Sequence, residues 1–260
     1  MEDITIDMIL SAFLIFTRVA AVFMTAPFFN NGAFPRQIKL YAAVVTTVML
    51  FNVIPSQGAF ISADSGTMFV ITAVITEILV GAAMGLIGQL IFAGLELAGS
   101  LISMQTALSF ANMVDSTTQK QNMVVGNILN MLAVMVFLML DGDKIYLSAI
   151  AKSYQLIPAT EASLHLAGPY MLEAATYLFI VGVQITSPFL MVIFILDLAL
   201  AIFARIMPQA NMMFIAMPFK FGVGIAVLMM VLPYLPTGFE ILFQNMFNYL
   251  GELLGEMMPV

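Results

Sequence analysis

Arg18, Glu77, Glu96, Asp197, Arg205 and Lys220 offer the most chemistry in this sequence, because each ionises and each lies within or beside an apolar run. A charge near the middle of a bilayer is costly unless it is paired or reached by water. Such residues fit either a proton or ion pathway, or ion pairs that hold helices and subunits together. Asp197 and Arg205 stand just over two helical turns apart, so they share a face without touching, and their partners are expected on other helices or other chains. The carboxylates show no transporter-like repeat, which favours structural pairing between subunits.

Catalytic signals are close to nil. The chain has one histidine, His165, and no cysteine, which excludes thiolate zinc sites, iron–sulfur clusters, disulfides and a cysteine nucleophile. It contains no HExxH, G-x-S-x-G or P-loop motif. Asp141 and Asp143 flank a glycine in a spacing that suits a turn. Neither an enzyme nor a cofactor is expected. The net charge of −7 and the lack of a basic cluster argue against nucleic acid.

The elements that carry these residues must be apolar helices. Of 260 residues 62% are hydrophobic and 9% charged, with a mean hydropathy of +1.05, whereas an ordinary soluble domain has about a quarter of its residues charged. So few charges cannot cover a globule, so an integral membrane protein is expected, or a subunit sheathed by partners. The 23 methionines suit lipid-facing and gap-filling positions.

Charge-free stretches run from Val19 to Pro35, Leu40 to Ala63, Ile78 to Leu95, Leu97 to Val114, Gln121 to Leu140, Ala174 to Leu196 and Phe221 to Phe239. The sixth extends from Tyr170 to Ala204, about 52 Å as a straight helix, against a hydrocarbon core of about 30 Å. It must tilt, break at Pro188, or leave the bilayer against other proteins. Loop signals fall at residues 51–58, at Asp141-Gly-Asp143, around Gly168-Pro169 and at Pro233-Tyr-Leu-Pro-Thr-Gly238. Read as six spans, the chain places Arg36, Lys39, Lys120, Arg205 and Lys220 on one side and Lys144 and Lys152 on the other, which puts both termini outside the cytoplasm. Small residues four apart, at Gly81/Gly85, Gly94/Ala98 and Gly251/Gly255, predict close helix packing.

The segment from Leu97 to Asn122 is charge-poor but too polar for lipid, which suits a protein interior or a wet conduit. Its core, Gln105 to Gln121, mixes Phe110, Met113 and Val114 with Ser109, Asn112, Asp115 and a Ser-Thr-Thr run.

Several stretches together resemble the FliR family of flagellar biosynthetic proteins, with its type III secretion counterparts. They are Phe16-Thr-Arg-Val19 with Ala26-Pro-Phe28, Gly32, Pro35 and Lys39, then Glu77-x3-Gly81-x3-Gly85-x2-Gly88 running on to Gly94 and Gln105. Asp141-Gly142 and Ser153-Tyr-Gln-Leu-Ile-Pro158 follow. The most specific is Pro188…Leu196-Asp197…Ala204-Arg-Ile-Met-Pro208-Gln209-Ala-Asn211…Pro218-Phe-Lys220-x-Gly222. One departure is Asp115-Ser116, where the family has Asp-Pro.

The resemblance implies an all-α fold of membrane-associated helical hairpins, with a FliP-like part over 1–179 and a FliQ-like two-helix part over 180–260. In the latter, Pro188 would start a helix, Pro208, Gln209 and Asn211 would make the turn, and Pro218 would open the second helix. It implies a non-enzymatic, pore-forming subunit of the export gate at the centre of the basal body in the bacterial inner membrane. The implied partners are FliP-like and FliQ-like subunits and the FlhB-like switch protein, with unfolded flagellar proteins as cargo. Gln105, Phe110, Asn112, Met113, Val114 and Asp115 would then belong to a plug in the conduit. The rival reading is an ion-coupled secondary transporter, for which no internal repeat is found.

Overall fold

A computed structural model describes residues 6–27, 35–53, 66–106, 124–158, 167–209 and 211–258. Among them all regular structure is helical: α1 (Ile6–Thr25), α2 (Arg36–Val53), α3 (Thr67–Gln105), α4 (Val124–Met139), α5 (Gly142–Leu156), α6 (Ala167–Ile206), α7 (Met212–Val231), a 3₁₀ turn (Leu232–Tyr234) and α8 (Leu235–Glu256). Four helical stretches, Ile6–Thr25, Thr67–Gln105, Gly168–Ile206 and Phe214–Glu256, are long and apolar enough to cross a membrane, and α4 with α5 adds a fifth if that bent pair is one span.

Charge-free runs and helices do not coincide. Of the stretches Ile78 to Leu95 and Leu97 to Val114, expected to be separate, the first and the part of the second up to Gln105 belong to one 39-residue helix with Glu96 inside it. The rest of the second, from residue 107, lies outside the described residues. A glutamate is a good helix former, and on an exposed position it interrupts the hydropathy without interrupting the backbone. The signal at Pro233 to Gly238 likewise gives a single 3₁₀ turn, after which the helix resumes at Leu235. Gly168 and Pro169 lie in the first turn of α6, where a proline's missing N–H costs nothing.

Pro188, expected to break or start a helix, sits inside the 40-residue α6. Proline leaves the carbonyl four residues back without its N–H donor. The Ser187 hydroxyl donates to that carbonyl, Gln184 O, at 2.8 Å. The helix runs on because a side chain supplies the bond that the backbone cannot. At Asp141 the break is real: the residue adopts a left-handed conformation at φ 54°.

The chain divides into two compact units. One comprises Met1–Leu90, Asp141–Ala175 and Gln244–Val260; the other comprises Ile91–Leu140 and Thr176–Phe243. In the first, α2 packs along α1, and α1 and α3 run parallel. Their register follows from matched contacts: Leu14 clusters with Ala73, Arg18 bonds Glu77, and Gly81, Gly85 and Gly88 meet Arg18, Thr25 and Pro27 in turn. In the second, Phe243 of α8 packs its ring against Phe92 of α3 and Phe137 of α4. α6 packs on α3 there, with Gly182 against Leu97 and Gly94.

Candidate functional site: a buried arginine clasp

Arg18 and Glu77 are fully buried and paired within the chain. Arg18 Nε donates to Glu77 Oε2 at 2.6 Å and Nη2 to Oε1 at 2.9 Å, the two-pronged geometry that makes guanidinium–carboxylate pairs strong. Nη1 donates to Ser153 Oγ at 3.0 Å, and Nη2 also donates to the Ile157 carbonyl at 3.1 Å. The guanidinium carbon lies 4.0 Å from the centre of the Tyr154 ring, within cation–π range. Tyr154 in turn donates its hydroxyl to the Ile15 carbonyl of α1 at 3.2 Å.

The arrangement answers a problem set by α5. That helix ends at Leu156, ahead of Pro158, against the mid-length of α1 and α3. A helix that stops inside an apolar layer leaves carbonyls without donors and a partial negative charge at its end. Arg18 supplies both the donor and the positive charge. Burying an isolated arginine or glutamate would be prohibitive; burying them together, with the remaining hydrogens satisfied, is not.

Glycines bring the helices close enough for this. A β-carbon on Gly81 would run into the Arg18 carbonyl and lie 2.9 Å from Ala21 Cβ. One on Gly85 would overlap the Thr25 hydroxyl, and one on Gly88 would lie 2.9 Å from both Pro27 Cδ and the Tyr146 hydroxyl. Tyr146 donates that hydroxyl to the Met84 carbonyl. The stripe Glu77-x3-Gly81-x3-Gly85-x2-Gly88 is therefore one seam, with the charge at one end and small residues along the rest.

The other ionisable residues are placed differently. Lys220 of α7 reaches Asp197 of α6 at 2.6 Å, with the side chains 24% and 43% exposed. Glu96 and Arg205 are exposed on the single chain. The pairing expected between subunits is thus made inside the chain for Arg18 with Glu77 and for Asp197 with Lys220. The reason is geometric: each opposite charge sits on a helix that packs beside the first. Pro208 and Gln209 form the turn between α6 and α7, Asn211 precedes α7, and Pro218 lies within α7 rather than at its start.

A half-exposed pair screened by water contributes about 0–1 kcal/mol, so Asp197→Lys alone is expected to lower the yield of folded protein modestly. Lys220→Asp in the same chain should restore it. Gel filtration of the three proteins side by side checks this; a double reversal no better than the single one removes the pair from the account.

Gln105, exposed, is the last residue of α3, whereas Phe110, Asn112, Met113, Val114 and Asp115 lie outside the described residues, as does His165. The described residues before and after that segment belong to α3 and α4. Thr106 is buried, with its backbone N–H and its hydroxyl both donating to the Ile102 carbonyl at 2.9 and 2.7 Å. Beyond the segment, Gly126 of α4 lies against Gly99 of α3 so closely that no β-carbon fits on Gly99.

Sequence reasoning singled out Arg18 and Glu77 but missed Tyr154 and Ile157 as the neighbours of Arg18. The available signal was Ser153-Tyr154 four residues ahead of Pro158: a helix stop whose freed carbonyls need a donor.

Comparison with known proteins agrees on one family. The family model described as bacterial export proteins, family 1, matches residues 9–246. A flagellar biosynthetic protein FliR of Pectobacterium carotovorum subsp. carotovorum is 31% identical over 243 residues, 93% of this chain and 92% of that one. The FliR of Escherichia coli (strain K12) is 28% identical over 241 residues, covering 92% and 91%. That of Bacillus subtilis (strain 168) is 28% identical over 227 residues, covering 86% of each. With a match along nearly its whole length, the chain belongs to family 1 of the bacterial export proteins, the FliR family.

Proposed function

We propose that the chain is a non-enzymatic, pore-forming subunit of the flagellar type III export gate, through which unfolded flagellar proteins leave the cytoplasm across the inner membrane at the centre of the basal body. Membership of the FliR family supports a place in the flagellar export apparatus. The observation that carries the finer reading is the apolar surface of α6 and α7. The most apolar windows of Gly168–Ile206 and Phe214–Glu256 are only 11% and 6% buried, against 39% in α1 and α3. A 40-residue α6 is about 60 Å long, twice a hydrocarbon core of about 30 Å. Lipid covers half of such a helix at most, and apolar neighbours must cover the rest.

In this reading the neighbours are FliP-like and FliQ-like subunits, with the FlhB-like switch protein beside them. Residues 1–179 play the FliP-like part and 180–260 the FliQ-like part, so that the division falls inside α6. Gln105 to Gln121 forms the plug in the conduit. The transporter reading needs a buried carboxylate free to load an ion, and the buried carboxylate among the described residues, Glu77, has both oxygens held by Arg18.

Deleting Phe110 to Thr117 tests the plug. The variant, co-expressed with the FliP-like and FliQ-like proteins, is expected to assemble normally and to make cells permeable to small ions and dyes. An assembled, impermeable deletion rejects the plug; a stable monomer that needs no partners rejects the gate.

A further inference from the structure

The first turn of α2 carries positive charge at the wrong end of a helix. Arg36 and Lys39 stand there three residues apart, so the two cations are neighbours on one side. A helix N-terminus is already the positive end of the backbone dipole, and like charges at this spacing repel. Burial sharpens both costs, and Lys39 is only 7% exposed. Elsewhere in the same unit a buried cation is matched, Arg18 by Glu77. Among the described residues neither the Arg36 nor the Lys39 side chain takes part in a hydrogen bond or ion pair. The backbone adds to the same sign. The N–H groups of Ile38 and Lys39 turn back to the Pro35 carbonyl at 3.0 and 3.4 Å, whereas those of Arg36 and Gln37 make no bond among the described residues. Side chains on a helix lean toward its N-terminus, so the stem of Lys39 lies back over this first turn, where the free N–H groups are. A buried ammonium, a guanidinium and two free N–H groups thus gather at one helix end with no negative charge to meet them.

We propose that the N-terminal turn of α2 binds the phosphate of an anionic phospholipid. A helix N-terminus offers an anion its N–H groups and a favourable dipole. Arg36 adds a fork of donors suited to phosphate oxygens, and Lys39 adds a point charge. The adjoining surface selects a lipid over a soluble anion as the source. Leu40, Val44 and Val48 follow Arg36 in steps of four, in one row along the helix, and are 45%, 45% and 60% exposed. From Leu40 to Val48 the row is about 12 Å long, which fits within one leaflet, half of a hydrocarbon core of about 30 Å. A phosphate at the head of the row lays an acyl chain along it. The site needs only a bilayer beside α2 and does not depend on the pore.

The test uses the detergent-solubilised chain with its co-expressed partners, stripped of native lipid, and follows melting temperature as dioleoylphosphatidylglycerol is added. Dioleoylphosphatidylcholine and inorganic phosphate serve as controls. Phosphatidylglycerol is expected to raise the melting temperature at concentrations about tenfold lower than either control. Arg36→Gln, at an exposed position, and Lys39→Met, which keeps an apolar stem, are each expected to raise the phosphatidylglycerol concentration at half of the shift about tenfold. Without anionic lipid Lys39→Met is expected to melt no lower than wild type, because an uncompensated buried charge has been removed. Wild type and variants that respond alike overturn the proposal. So does a Lys39→Met protein that melts lower than wild type without anionic lipid, since Lys39 then answers a carboxylate of another chain. An equal shift with phosphatidylcholine or with inorganic phosphate overturns an anionic lipid as the ligand. Should Lys39→Met fail to accumulate, Arg36→Gln decides alone: an unchanged response to phosphatidylglycerol overturns the proposal.

Discussion

Arg18→Ala is expected to abolish accumulation of the folded chain. It removes the partner of a carboxylate with no exposure, together with the donors to Ser153 and the end of α5. Leaving one member of a buried pair uncompensated costs about 3–5 kcal/mol, a large share of the 5–15 kcal/mol or so that holds a typical domain together. Glu77→Ala should be about as damaging, because the arginine is then the stranded charge. Arg18→Lys keeps the charge but loses the planar fork, and is expected to fall between wild type and alanine. The pair replaced together, Arg18→Met with Glu77→Leu, should be less damaging than either single change. Yield and melting temperature of the detergent-solubilised complex measure all four. An Arg18→Ala protein of normal yield and melting temperature would remove the clasp from the account of stability.

Gly81→Ala should disrupt the α1–α3 seam more than Gly85→Ala, although the second glycine sits closer to its obstacle. The new methyl group at Gly81 meets the Arg18 carbonyl, which is backbone and cannot rotate aside. At Gly85 it meets first the Thr25 hydroxyl, a side-chain atom. Overpacking of this kind costs about 1–3 kcal/mol when neighbours can adjust, and the upper end or beyond applies where separating two helices also stretches the buried ion pair one turn away. Thr25→Ala is expected to recover part of what Gly85→Ala loses and nothing of what Gly81→Ala loses. Complex yield and motility of complemented cells report the order; the reverse order would show that the seam is looser than the contacts suggest.

Composition and spacing made much of this molecule legible. The scarcity of charge pointed to apolar helices, and the four-residue spacing of Gly81 and Gly85 pointed to a close helix contact, which is where α1 meets α3. The embedded charges were legible as residues and illegible as pairs. Nothing in a sequence tells Arg18 to choose Glu77 over Glu96; that choice follows from the parallel register of α1 and α3, which puts one glutamate on the seam and leaves the other exposed. Helix boundaries failed where hydropathy and backbone preference diverge. Glu96 ended an apolar run without ending a helix, and Pro188 signalled a break that the Ser187 hydroxyl makes unnecessary.

The clasp also sets a timetable for biogenesis. Arg18 emerges from the ribosome well before its partners: Glu77 follows 59 positions later and Ser153 135 positions later. At a synthesis rate of about 5–20 residues per second, the arginine waits roughly 3–12 s for its carboxylate and roughly 7–27 s for the end of α5. Through that interval the first apolar helix carries a bare cation, which favours a position at the translocon wall or the lipid interface over the bilayer interior. The nascent α1 is thus kept from settling alone, and it reaches its final depth only in company with the helix that neutralises it.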